Sequence, residues 1–204
     1  MTKYFLLLLT TLMIFAGCTT PTPTNTATPT AASPAAGDAA FKTIHDKYVV
    51  EFLRRNPTVN TYLGGAGLDA SLRETDGQLR DHSPAAIEAE DRWLNETQKA
   101  IEAVDANSLL ATRRIDREVA LAQIRFLLHQ HMERRYQQRA LDTYTDEPFR
   151  AVDFQLQGLT QTGDKTYGTP EEWALVTKRV GAIPRYLVVA QEQLAAGIKS
   201  GNTP

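Results

Sequence analysis

The 204-residue sequence contains a single cysteine, Cys18, and this scarcity limits how the fold can be stabilised. One thiol cannot form a disulfide within the chain, nor can it build a metal site from several cysteine ligands. The 22 basic and 24 acidic side chains give a formal net charge of −2, so no positive excess favours nucleic acid as a partner. No segment alternates apolar and polar residues for long enough to predict a β-strand. Stability must therefore come from the packing of helices.

Recognisable catalytic motifs are also missing. The four histidines are His45, His82, His129 and His131. A helical zinc site needs two histidines four residues apart with a glutamate beside the first, and no such segment occurs. His129 and His131 point in different directions on a helix and cannot share a metal ion. His129 and Glu133, four residues apart, could chelate one, but ion pairs of Glu133 with neighbouring arginines at the surface are favoured. No serine lies in a Gly-x-Ser-x-Gly turn. The sequence therefore predicts no catalytic residue and no metal ligand.

The charged clusters are interpreted as structural. Glu171-Glu172 and Glu88, Glu90 and Asp91 are expected in first helical turns, where the helix dipole favours negative charge. The arginines between residues 113 and 139 alternate with acidic residues, which favours a solvated helix face over a site for an anionic ligand.

The apolar periodicity predicts an all-α fold, an antiparallel bundle with a long central helix. Helices are predicted over residues 41–55, 57–63, 84–104, 109–141 and from Pro170 to a stop at Gly197 or Gly201, with a kink or boundary before Pro184. The 109–141 segment has two apolar stripes, which predicts neighbours on two sides. The members of the first are Ile115, Val119, Ala122 and Phe126; those of the second are Leu121, Ile124, Leu128 and Met132.

The N-terminus resembles a bacterial lipoprotein signal peptide over residues 1–17. Lys3 precedes an apolar run from Tyr4 to Phe15, and Ala16-Gly17 precedes Cys18. The resemblance implies cleavage between Gly17 and Cys18 and lipidation of Cys18, which would anchor the chain to the bilayer. An ordinary secretory signal and a transmembrane anchor are the alternatives, but the run is too short to span about 30 Å of hydrocarbon. Thr19 after the cysteine implies the periplasmic face of the outer membrane.

Residues 18–38 form a Thr-, Pro- and Ala-rich segment that predicts a disordered linker. Its composition offers little apolar surface to bury and favours extended polyproline II; a glycosylated stalk is the alternative. Residues 39–204 are then expected to form one helical domain.

Four segments carry a more specific resemblance: residues 52–72, 79–96, 111–128 and 169–204. The last contains Arg179-Val-Gly-Ala-Ile-Pro184, followed by a glycine-containing end. Together they resemble the N-terminal part of the bacterial "domain of unknown function 885" family. The resemblance implies exported, all-helical proteins similar to zinc metallopeptidases. It implies zinc only for full-length members, whose proposed ligands lie in a His-Glu-x-x-x-x-His-like segment far downstream of the position that matches Pro204.

Two functional hypotheses follow. In the first, the chain is the N-terminal helical portion of a periplasmic, membrane-tethered hydrolase that acts on peptides, and it forms one wall of the substrate cleft. The chain would then be a truncated product, a fragment or a shortened relative, and it would be inactive alone. In the second, it is a non-catalytic helical envelope lipoprotein that binds a partner. The first predicts large exposed apolar patches where the missing part would pack.

Overall fold

The computed structural model describes residues 36–161, 163–164 and 166–204, and these residues confirm the all-α prediction. The six α-helices that they form are α1 (Ala36–Arg55), α2 (Pro57–Leu63), α3 (Pro84–Glu102), α4 (Ala111–Leu128), α5 (Leu141–Gln157) and α6 (Pro170–Ser200). Shorter 3-10 helices occupy Gly65–Gly67, Ala70–Gly77, Ala106–Ser108 and Tyr136–Gln138, and His129–Glu133 form a π-helical turn. Within this part of the chain no β-strand occurs, apart from one isolated bridge between Gln161 and Tyr167.

Local signals place most of the helix ends correctly. Ser83 caps α3 by accepting a hydrogen bond from the Ala86 N–H, and Pro84 occupies the first helical turn. Thr169 and Glu172 form a reciprocal capping box at the start of α6. Gly201 ends α6 with a φ of 70°, a left-handed conformation that glycine adopts without steric cost. The predicted starts of α3 and α6 and the predicted stop at Gly201 are therefore confirmed. α1 begins at Ala36 and not at the predicted residue 41, so the predicted linker is wrong for residues 36–38, which are helical.

The long central helix predicted over residues 109–141 is wrong. α4 ends at Leu128, and after the π turn Arg135 adopts a φ of 45°, which reverses the chain before α5. The Asn202 side chain donates hydrogen bonds to the carbonyls of Arg134 and Arg135, at 3.2 and 3.0 Å. Contacts from the end of the chain thus stabilise a break that the local sequence does not reveal. The longest helix is instead α6, which continues through Pro184 without a boundary.

Two apolar clusters hold the helices together. The larger joins α1, α3 and α4, while the smaller joins α6 to residue 140 and α5. The buried members of the larger are Phe41, Tyr48, Leu94, Ile101, Val104, Leu109, Ala120, Leu121 and Ile124. Those of the smaller are Ala140, Tyr144, Tyr186 and Ala190.

The two stripes predicted on α4 have different environments. Leu121 and Ile124 are fully buried, but Ile115, Val119 and Phe126 are 65%, 62% and 57% exposed. The expectation that α4 has neighbours on two sides is therefore wrong for the described residues, because only one face is covered.

Candidate functional site

A pocket of about 390 Å³ opens between α2, α3, the C-terminal end of α4 with its π turn, and α5. Its apolar lining comes from Val59, Ile87, Phe126 and Leu127. Several ionisable side chains also line it, and two of them, His82 and His131, are histidines. A volume above about 300 Å³, apolar walls and a few convergent polar groups are typical of small-molecule sites. This pocket is the candidate functional site.

The Glu147 carboxylate is part of the pocket lining and accepts three hydrogen bonds. The Thr58 hydroxyl donates to Oε1 at 3.3 Å, the Tyr186 hydroxyl donates to Oε2 at 3.2 Å, and His82 Nε2 lies 3.3 Å from the same oxygen. The side chains of His82 and Glu147 are only 10% and 12% exposed. α2, α5, α6 and the segment before α3 thus converge on one carboxylate.

These contacts keep Glu147 ionised. Burial alone would raise the pKa of its carboxyl, but the hydrogen bond and charge of His82, the charge of Arg80 and the Tyr186 hydroxyl outweigh it and lower the pKa. Burial and the neighbouring Glu147 charge raise the pKa of the Tyr186 hydroxyl, so this phenol stays protonated and donates.

Aromatic rings and a backbone contact fix the position of His82. Its ring makes edge contacts with Tyr144 and Tyr186, with centroids 5.1 and 5.9 Å away. The Gln193 amide donates to the His82 carbonyl at 2.6 Å. His82 is therefore held by α5 and α6 although it lies in the segment before α3.

A second buried ion pair lies beside this carboxylate. Arg80 Nη2 is 2.9 Å from Glu90 Oε2, and Arg80 Nη1 donates to the Asn56 side-chain oxygen. The side chains of Arg80 and Glu90 are 12% and 4% exposed. The Arg80 guanidinium thus links Asn56, at the start of α2, to Glu90, in the middle of α3, and the Glu90 carboxylate balances its buried charge.

The π turn supplies a third pairing. His131 Nδ1 lies 2.7 Å from the Asp91 carboxylate of α3, and the imidazole is 8% exposed. π-helical turns are rare and often lie at functional sites. Here the turn brings His131 to the pocket, whereas His129, also in this turn, is exposed.

The structural interpretation of the acidic residues is partly wrong. Glu172 does cap α6, but Glu90 and Asp91 lie inside α3 and pair with Arg80 and His131. Local spacing could not find these partners, because ten and forty residues separate the members of the two pairs. The only sequence signals were polar residues at positions of α3 that face the core.

The arginines of α4 agree with the prediction of a solvated face, except Arg117, whose side chain is only 13% exposed. Arg113 and Arg117 form ion pairs within α4, and Arg125 pairs with Glu102 of α3. The partners Asp116, Glu118 and Glu102 are 40% or more exposed, whereas Asp38 of α1, which lies 4.0 Å from Arg113, is 18% exposed. These arginines do not converge on a pocket for an anion.

The described residues hold no group of three His, Asp or Glu side chains that could bind a metal ion. His45 contacts the Phe41 ring of its own helix, with centroids 5.4 Å apart, away from the pocket. Gly17 and Cys18 lie outside the described residues, so cleavage and lipidation there stay predictions. Within the described ranges, none of the helices is long and apolar enough to span a bilayer.

Comparison with known proteins identifies the family. The model of the family described as "Bacterial protein of unknown function (DUF885)" matches residues 57–204, which include α2 to α6 and every residue that lines the pocket except Asn56. No curated protein and no solved structure matches the chain. Because this match extends over well more than half of the sequence, the chain belongs to the DUF885 family.

Proposed function

We propose that this chain forms the N-terminal helical portion of a lipid-anchored, metallopeptidase-like hydrolase of the cell envelope. In this proposal it supplies one wall of a peptide-binding cleft, and zinc is bound by residues that this sequence does not contain. The family resemblance supports the type of enzyme, and the sequence around Cys18 supports the anchor.

The observation that carries the proposal is the uncovered apolar face of α4. Ile115, Val119 and Phe126 follow one another at intervals of four and seven residues, so their side chains share a face. All three are more than half exposed, while Leu121 and Ile124 of the same helix are buried. Contiguous exposed apolar patches mark surfaces that pack against another protein segment.

The energetic size of this surface supports the same interpretation. Burying one fully exposed large aliphatic or aromatic side chain contributes about 1.5–3 kcal/mol, so covering the exposed parts of these three, which are 57–65% exposed, would contribute about 3–6 kcal/mol. That is a substantial part of the free energy of unfolding of a typical domain, which is about 5–15 kcal/mol. A segment that packs on α4 would therefore be strongly stabilised, as the first hypothesis requires.

The anchor and the location form the other part of the proposal. An acylated Cys18 would hold the chain at the bilayer, since each buried methylene contributes about 0.8 kcal/mol and several chains on one residue make attachment stable. We place the chain at the periplasmic face of the outer membrane. Labelling cells with radioactive palmitate tests the anchor: the chain should be labelled, and the Cys18→Ser variant should not. Equal labelling of the two would refute it.

The decisive experiment reads the gene past codon 204 and expresses the complete reading frame. A frame that continues into a zinc-binding His-Glu segment, with peptide hydrolysis that needs zinc, supports the proposal. In that longer protein Val119→Glu should reduce activity by disrupting the packed face, whereas Thr112→Glu, at an exposed polar position of the same helix, should not. Equal activity of both variants would show that this face is not an internal contact.

The second candidate is a non-catalytic envelope lipoprotein that binds a partner. The observation that favours it is the pocket, because all the side chains described as lining it belong to this chain. A reading frame that stops at codon 204, and a chain that unfolds cooperatively and hydrolyses no peptide, would favour this candidate.

A further inference from the structure

The charges around the pocket are unevenly matched. Arg80 pairs with Glu90 at 2.9 Å, and Arg150 pairs with Asp146 of the same helix. Each guanidinium that lines the pocket therefore has its own carboxylate. Glu147, by contrast, forms no ion pair with a lysine or arginine within the described part of the chain.

The direct partners of Glu147 do not supply a permanent countercharge. The hydroxyls of Thr58 and Tyr186 are neutral donors, and only His82 among the contacting groups can carry a positive charge. No lysine or arginine of the described residues contacts this buried carboxylate, and a buried charge without a cation in contact is electrostatically unfavourable. A ligand cation beside Glu147 in the pocket would remove this imbalance.

The shape of the pocket agrees with a cation on an apolar stem. Val59, Ile87 and Leu127 provide aliphatic walls, and Phe126 and Tyr136 are aromatic residues in the same lining. Aliphatic walls suit a methylene chain, and aromatic rings attract ammonium and guanidinium groups. About 390 Å³ is enough for one side chain of the size of lysine or arginine.

We propose that this pocket binds an alkylammonium or alkylguanidinium group, with the cation on Glu147 and its methylene stem between Val59, Ile87 and Leu127. The group could belong to the basic side chain of a peptide or to a free amine. The site goes beyond the proposed function, because it needs no residue outside this chain and no metal.

Calorimetric titration of the full chain in mild detergent tests the proposal with three probes. N-acetyl-lysine amide represents the peptide side chain, n-pentylamine the free amine, and N-acetyl-norleucine amide the uncharged isostere. We expect the isostere to bind at least about 30-fold more weakly than the lysine probe, the lower end of the loss when one partner of a buried charge pair is removed. Binding of the lysine probe alone points to peptides, and binding of pentylamine as well extends the site to free amines; both support the proposal.

Three variants separate the site from the fold. Glu147→Gln should weaken the lysine probe about 30-fold or more, and Val59→Phe should do so by filling the stem channel while leaving Glu147 intact. Glu74→Gln, a carboxylate that is 75% exposed on another surface, is the matched control and should bind normally. Circular dichroism confirms that each variant is folded.

Three results would overturn the proposal. They are no binding of either cation up to about 10 mM, equal binding of the norleucine probe, and unchanged binding by a folded Glu147→Gln variant. None of these bears on the zinc-dependent hydrolysis expected of a longer reading frame, so the two proposals fail independently.

Discussion

Replacing Arg179 provides the sharpest test of how the bundle is held together. This α6 side chain is fully buried, yet no carboxylate among the described residues contacts it. Its guanidinium donates to the Ala151 carbonyl of α5 at 2.7 Å, to the Gln78 carbonyl at 2.9 Å, to the Thr61 hydroxyl of α2 at 2.8 Å and to the Thr75 carbonyl at 3.3 Å. One side chain therefore joins three helices and the segment between α2 and α3.

The expected loss in Arg179→Met follows from these contacts. Methionine fills much of the same volume but leaves two or three carbonyls buried without a donor, and each costs about 1–3 kcal/mol. Removing a buried charge offsets part of this, since burial lowers the pKa of Arg179 to about 10 and the group is still charged at pH 7. We expect the free energy of unfolding to fall by about 3–5 kcal/mol, a large part of a typical 5–15 kcal/mol.

Urea unfolding followed by circular dichroism at the helical minimum measures this loss. Lys178→Met is the matched control, because Lys178 is the preceding residue and its pair with Glu74 is exposed, so the change should be below about 1 kcal/mol. If Arg179→Met were also within about 1 kcal/mol of the parent chain, the carbonyl contacts would not hold the helices together.

Three further predictions test the site, a cap and the two faces of α4. Tyr186→Phe removes a donor to ionised Glu147 and should lower the free energy of unfolding by about 1.5–3 kcal/mol at pH 7. Because the pKa of the Glu147 carboxyl is lowered in the folded state, this contribution is present above the unfolded pKa of about 4.3 and is lost as the pH falls through the folded pKa. The difference between the variant and the parent chain should therefore be smaller at pH 3, and an equal difference would contradict the assignment. Thr169→Ala should cost about 0.5–2 kcal/mol by removing the α6 cap, with Thr169→Ser close to the parent as control. Ile124→Ala should lower the free energy of unfolding by about 2–5 kcal/mol and Phe126→Ala by less than about 1 kcal/mol, because only Ile124 is buried. The reverse order in thermal unfolding would show that the face with Phe126 is the buried face of α4.

Helix existence and most helix starts could be predicted from the sequence because their causes are local. Ser83-Pro84 and Thr169-Pro170 place a capping hydroxyl directly before a proline that suits the first turn. Gly64 follows α2 with a φ of 66°, as expected of a glycine after the last periodic residue. Each of these signals is complete within four or five residues, so no tertiary contact is needed to interpret it.

The chain reversal between α4 and α5 could not be predicted, because its cause is distant. Around Leu128 the sequence continues with residues that a helix tolerates, and the break depends on Asn202 and on the close approach of Gly197 to this segment. A Cβ atom at Gly197 would lie 2.0 Å from the Gln138 carbonyl oxygen, so only glycine lets α6 pack there. Helix propensity is a weak determinant where such contacts decide the backbone.

The pocket was missed for the same physical reason. No sequence motif singles out Glu147, and Asp91 has the pattern of a first-turn charge, since composition and spacing do not show that Glu147 lies beside His82 or that Asp91 lies beside His131. Sixty-five and forty residues separate these pairs. The sequence contains only two separate signals of the pocket. One is His82, immediately before the Ser83 cap, and the other is the pair of acidic residues, Glu90 and Asp91, on a helix face that also carries Ile87 and Leu94.

The exposed apolar face of α4 supports the functional proposal. The spacing of Ile115, Val119 and Phe126 is that of a buried stripe, and sequences rarely keep three large apolar residues in register on a face that stays in water. Around the pocket the side chains are polar and partnered instead: Glu90 pairs with Arg80, and Glu147 accepts hydrogen bonds from Thr58 and Tyr186 and lies beside His82. The described residues therefore combine a polar, partly buried pocket with an apolar face of α4 that they leave uncovered, and Phe126 belongs to both surfaces. A segment that packs on α4 would bury Ile115, Val119 and Phe126, as the apolar spacing of these residues predicts.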